Sequence, residues 1–133
     1  ASMYNIRVIT DLQDNLPLII GDELKLRQVF INLGRNALQA IGENGTILIE
    51  TFANEFWVIV RITDSGVGIP PNKLHKIFDP YYSTKENGSG LGLSVVHQIV
   101  SGHRGHIEVD SKIGRGTTVT VKLPVKGVKE LEK

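Results

Sequence analysis

The stretch Val58-Ile59-Val60-Arg61-Ile62-Thr63-Asp64-Ser65-Gly66-Val67-Gly68-Ile69 decides how the rest of the chain is read. Val58, Val60 and Ile62 share one strand face by period two, and Asp64 is the next residue on that face. If the three apolar residues face a core, the carboxylate aims into the same apolar space. A charge there is costly unless something bonds it. Just beyond, Gly66 and Gly68 let the backbone come close to a planar or bulky group. Two readings are open: an aspartate capping a Gly-rich turn, or a carboxylate that accepts a hydrogen bond from an exocyclic amine such as that of adenine.

Working outward, residues 46–53 pair with 56–63 as two strands joined across Asn54-Glu55. Upstream, Leu26, Val29, Phe30, Leu33, Ala37, Ala40 and Ile41 recur at helical spacing. Asp22 suits the N-cap of that helix, and Gly42 ends it. Residues 5–12 read as a strand, and Leu18-Ile19-Ile20 as a short extended piece. Downstream, 72–77 make a short helix. A polar segment from Asp79 to Gly90 is long for a connection, as lids are. Leu93, Val96, Ile99 and Val100 mark a second amphipathic helix with Gly102 as its stop. Residues 105–110 and 117–123 are two more strands, the latter with Thr117, Val119, Val121 and Leu123 on one face. Helices and strands alternate without a regular βαβ rhythm. The expected fold is therefore α+β, a two-layer sandwich with one mixed sheet and its helices on one face.

With 133 residues, 41% of them hydrophobic and 22% charged, the chain is one soluble domain. We place it at 3–126, with a charged tail over 127–133. The absence of cysteine excludes a disulfide scaffold, a thiolate metal site and a cysteine nucleophile. A net charge of +1 argues against nucleic acid as a partner. No apolar run approaches the ~20 residues of a membrane span, and no export signal is visible. The expected location is cytoplasmic, without membrane insertion by this domain.

Two further signals carry chemistry. Asn32 and Asn36 lie at i and i+4 on the first helix, so they point the same way. They read either as partly exposed amides bonding water or as neutral oxygens that hold Mg²⁺ beside phosphate. Gly88-Ser89-Gly90-Leu91-Gly92-Leu93 opens the second helix. It reads as a hinge, or as backbone N–H groups facing an anion, with Lys85 adding charge. No Lys-Ser or Lys-Thr follows the glycines, so this is not a Walker A loop. His75, His97, His103 and His106 lack metal-ligand spacing and read as structural.

Taken in order, Asn32-Leu33-Gly34-Arg35-Asn36-Ala37, Asp64-Ser65-Gly66-Val67-Gly68-Ile69, Phe78-Asp79-Pro80-Tyr81-Tyr82-Ser83-Thr84-Lys85 and Gly88-Ser89-Gly90-Leu91-Gly92-Leu93 resemble the N, G1, F and G2 boxes of sensor histidine kinases. These belong to the wider gyrase, heat-shock chaperone, histidine kinase and mismatch-repair ATPase superfamily. The likeness covers about residues 5–124, and Gly114-Arg115-Gly116-Thr117 resembles the closing hairpin. It implies a Bergerat-type sandwich: a mixed five-stranded sheet, about three helices and a mobile lid. It also implies ATP and Mg²⁺ as cofactors. Asp64 would bond the adenine amine, with Gly66, Gly68 and Ile69 beside it and Thr117 near the ring. Asn36 and Asn32 would hold the metal. Gly90, Leu91, Gly92 and Lys85 would meet the phosphates.

In the gyrase-like, chaperone and mismatch-repair branches, the position matching Asn32 is a Glu that activates water. Asn has no basic group for this. The resemblance therefore implies a protein-histidine kinase domain in two-component signal transduction. It would donate the γ-phosphoryl group to a histidine on a separate dimerisation domain, and a response-regulator receiver domain would follow. No catalytic residue is assigned within the chain, and none of its histidines carries the acceptor motif. A stand-alone ATPase or an anti-sigma-type serine kinase is the alternative. Gln39 stands where many histidine kinases have Lys. With the Phe78–Lys85 run, it resembles the nitrogen-regulator-type subgroup.

Overall fold

A computed structural model describes residues 5–74, 76–78 and 93–127. The elements are β1 (Asn5–Leu12), α1 (Glu23–Ile41), β2 (Asn44–Ala53), β3 (Trp57–Asp64), α2 (Pro71–Leu74), α3 (Leu93–Gly102), β4 (His106–Lys112) and β5 (Gly116–Pro124). The strands form one sheet in the order β1-β2-β3-β5-β4. Only β1 and β2 run parallel, with α1 as the crossover between them. This is the expected α+β sandwich with a mixed five-stranded sheet.

Local chemistry sets the elements. The Asp22 carboxylate accepts from Lys25 N–H at 3.1 Å and caps α1. Gly42, at φ 78°, ends it, and its N–H reaches Leu38 O. The Asn54 side-chain oxygen accepts from the N–H groups of Phe56 and Trp57, both at 2.9 Å, and so shapes the turn between β2 and β3. Val29, Leu33 and Ala37 line the inner side of α1, and Val96 and Val100 that of α3. They meet Ile47, Ile62, Val121 and Leu123 from the sheet in one core. Each of the valine, leucine and isoleucine side chains contributes about 1.5–3 kcal/mol when fully buried.

Three details differ from the sequence reading. Leu18–Ile20 forms no strand; Leu18 O instead accepts from Lys126 N–H at 2.7 Å. The short helix is Pro71–Leu74, with proline at its first position, where a missing N–H costs nothing. α3 does end at Gly102, but the left-handed residue is Arg104 at φ 62°. Gly105 N–H bonds Val100 O and Arg104 N–H bonds Ser101 O, both at 2.9 Å, the paired bonds of a Schellman cap. Gly105 follows because a Cβ there would sit 2.3 Å from Lys122 O.

Candidate functional site

β3 carries the acid. Its register sets Asp64 opposite Ile47 on β2 and Thr117 on β5. Val58, Ile62 and Asp64 are buried, so the carboxylate shares the core-facing side as the period-two pattern predicts. It is 7% exposed and accepts from Gly66 N–H at 2.8 Å. Burial pushes its carboxyl above the ordinary value of 3.8; N–H donation from Gly66 and Thr117 pulls partly back.

Above the carboxylate lies a cavity of about 210 Å³ between α1, β3, β5 and the loop after β3. Its walls are mostly apolar: Leu33, Ala37, Ala40, Ile62, Val109 and Val119. Drug-sized sites run from about 300 Å³ upward, so this hollow takes a planar ring and leaves polar appendages outside. A ring with an exocyclic amine would find one charged acceptor in an apolar wall.

The loop over the cavity is fastened on two sides. Val67 N–H donates to Ala40 O at 3.2 Å, at the end of α1. Gly114 N–H reaches Val67 O at 2.9 Å, and Ile69 N–H reaches Ser111 Oγ at 2.8 Å. The Ser111 hydroxyl donates to Gly116 O at 2.9 Å and lies 2.8 Å from Thr117 Oγ1. The glycines serve this fastening. A Cβ on Gly66 would lie 2.6 Å from the Ala40 backbone, and one on Gly68 2.1 Å from Lys112 O. The close approach that these two glycines permit is, within the protein, to the backbone of Ala40 and Lys112, and Gly68 also lines the cavity.

Asn36, Asp64, Gly68, Ile69 and Thr117 all line the cavity. Asn32, half-buried one turn earlier on α1, does not, and neither does Gly66. Lys85, Gly90, Leu91, Gly92 and the lid expected over Asp79–Gly90 lie outside the described residues. Sequence reasoning missed Ser111, because ending the strand at 110 hid the next residue on the Ile107–Val109 face. It also missed Lys73, an exposed cation of α2 at the rim. Among the described residues no cluster of three or more His, Cys, Asp or Glu side chains forms a metal site. No helix among them is long and apolar enough to cross a membrane.

Comparison with known proteins agrees with this geometry. Residues 21–127 match the family described as "Histidine kinase-, DNA gyrase B-, and HSP90-like ATPase". The chain is 45% identical over 125 residues to the sensor histidine kinase ZraS of Escherichia coli (strain K12), covering 94% of this chain and 27% of ZraS. It is 34% identical to the catalytic domain of histidine kinase ThkA, at a TM-score of 0.82, covering 91% of this chain and 81% of that one. It also resembles ThkA in its complex with the response regulator TrrA, at 30% identity and a TM-score of 0.77, over 91% of this chain and 34% of that one. With the acid, the cavity and the sandwich in place, the chain belongs to the histidine kinase-, gyrase- and HSP90-like ATPase family, and within it to the catalytic domains of histidine kinases.

Proposed function

We propose that this domain binds Mg·ATP and presents its γ-phosphoryl group to a histidine on a separate dimerisation domain. A response-regulator receiver would then take the phosphoryl group. The carrying observation is the buried Asp64 carboxylate at the floor of an apolar, ring-sized cavity. Its partner on the ligand is the adenine amine. Gly68, Ile69 and Thr117 shape the same floor, and Gly66 holds the carboxylate by its N–H.

The donor chemistry fits Mg²⁺ only in company. Asn36, at the cavity wall, and Asn32 would supply neutral amide oxygens, with the charge balance left to phosphate oxygens. The metal would neutralise charge on the phosphates. Lys85 and the backbone of Gly90, Leu91 and Gly92 are proposed to meet those phosphates, and Lys73 stands at the rim as a further cation. Asn32 has no basic group, so it cannot take a proton from water. In the transfer, an imidazole nitrogen of the acceptor forms the new N–P bond. The bond from phosphorus to the β–γ bridging oxygen breaks, ADP leaves with the electron pair, and the imidazole loses its proton. The domain's part is positioning and charge neutralisation. This reading is supported by ZraS, a sensor histidine kinase, and by ThkA in complex with its response regulator.

Calorimetry with ATP and Mg²⁺ should show one site, and its absence would overturn the reading. With γ-labelled ATP, label should appear on an added histidine-bearing domain. Label on this chain alone, or steady phosphate release by it, would contradict the proposal.

A further inference from the structure

β1 is an edge of the sheet, and its outer side has a two-fold sequence symmetry. Asn5 N–H donates to Glu43 O and Gln13 N–H to Thr51 O, both on the β2 side. By alternation, Arg7, Ile9 and Asp11 also bond inward. Ile6, Val8, Thr10 and Leu12 therefore aim their N–H and C=O groups away from the sheet. An open row of this kind is a template for another strand. It is also unusually apolar: Val8 is 59% exposed, Leu12 56% and Ile9 40%.

From this edge, we propose that a second copy of the chain pairs with it, β1 antiparallel to β1, with the two-fold axis at Ile9. That register sets Val8 opposite the partner's Thr10 and Ile6 opposite the partner's Leu12. All four carry outward-pointing backbone groups, so these become the hydrogen-bonded pairs. Ile9 meets the partner's Ile9 in the closer, non-hydrogen-bonded geometry. On the same face, Arg7 falls opposite the partner's Asp11, and Asp11 opposite the partner's Arg7. Opposite charges directly across a strand pair are favourable, and like charges are not. Sliding the register by two residues either way sets Ile9 against Arg7 or Asp11 and loses both ion pairs. The charges thus select one register out of those the backbone permits.

Among the described residues these charges, Arg7 and Asp11, have no competing ion pair. Asp11 sits beside Glu50 on β2, which turns to Arg61 at 3.9 Å. The interface is isologous and closes as a dimer with one continuous ten-stranded sheet. It covers Val8, Leu12 and Ile9 together. The nucleotide cavity, on α1, β3 and β5, stays open in both copies, so the inference stands apart from the proposed function.

Sedimentation equilibrium of the chain from about 10 μM to about 1 mM tests it. The wild type should show a monomer–dimer equilibrium. Arg7→Asp and Asp11→Arg should each raise the dimer dissociation constant about tenfold or more, because each puts like charges face to face. An equimolar mixture of the two variants should recover wild-type association as a heterodimer, since their charges complement. Thermal unfolding and ATP calorimetry establish that both variants are folded. A wild type that stays monomeric throughout would overturn the proposal. So would single variants that associate like the wild type, or a mixture no stronger than either alone.

Discussion

Asp64 is placed against its own stability. A carboxylate that burial pushes above its ordinary range holds its proton more readily in the folded chain than in the unfolded one. Between the raised value and 3.8 the folded state therefore binds more protons, and acidification adds stability. Above the raised value the full destabilising contribution is present. Asp64→Asn should accordingly leave the nucleotide-free melting temperature unchanged or higher, as scanning calorimetry would show; a fall of several degrees would contradict this. ATP affinity should move the other way. It needs the ionised carboxylate, so it should weaken as pH falls through the folded value, at a pH above that of an ordinary aspartate. Asp64 was legible because period two carries the Val58–Ile62 face onto it. The purpose of Gly66 and Gly68 was not. The atoms they make room for belong to Ala40 and Lys112, remote in sequence and brought near only by the fold.

The elements around the cavity are held by a few specific contacts, which single changes can isolate. Gly68 and Gly114 have nearly the same backbone angle, φ +82° and +83°. Only Gly68 has backbone where a Cβ would go. Gly114→Ala should cost about 1 kcal/mol from the left-handed conformation alone. Gly68→Ala should cost about 2 kcal/mol or more, because the loop must also leave Lys112. Equal losses in urea midpoints would contradict the contact.

His103 ties the two long helices. Its Nε2 accepts from Asp22 N–H at 3.0 Å, so Nδ1 carries the proton donated to Ile99 O at 2.8 Å. Gly21 leaves space for the ring, since a Cβ there would lie 2.8 Å from His103 Cδ2. His103→Ala should destabilise by about 1–3 kcal/mol through the orphaned backbone groups, read as a lower denaturation midpoint. Helix spans were legible from apolar spacing and from Asp22. The tie was not, because a histidine after a helix looks the same whether or not another helix's cap lies beside it. The left-handed Arg104 was hidden likewise, because Gly102 two residues earlier looked the better stop.

At the scale of the molecule, strand number and helix side were readable, but strand order was not. Nothing local says that β5 inserts between β3 and β4, and that insertion is what sets Thr117 opposite Asp64. Because the cavity exists only in the folded chain, ligand binding is a stability term. ATP at 100 times its dissociation constant should stabilise the domain by about 2.7 kcal/mol, seen as a rise of several degrees in Tm. The central claim is that the Asp64 carboxylate reads the purine amine, and inosine triphosphate, with a carbonyl in place of that amine, tests it most directly. Calorimetry of the wild type should show ATP bound about 10- to 100-fold more tightly than inosine triphosphate, the worth of one charged hydrogen bond. In Asp64→Asn that preference should collapse. Equal affinities in the wild type, or a preference that survives in Asp64→Asn, would contradict it.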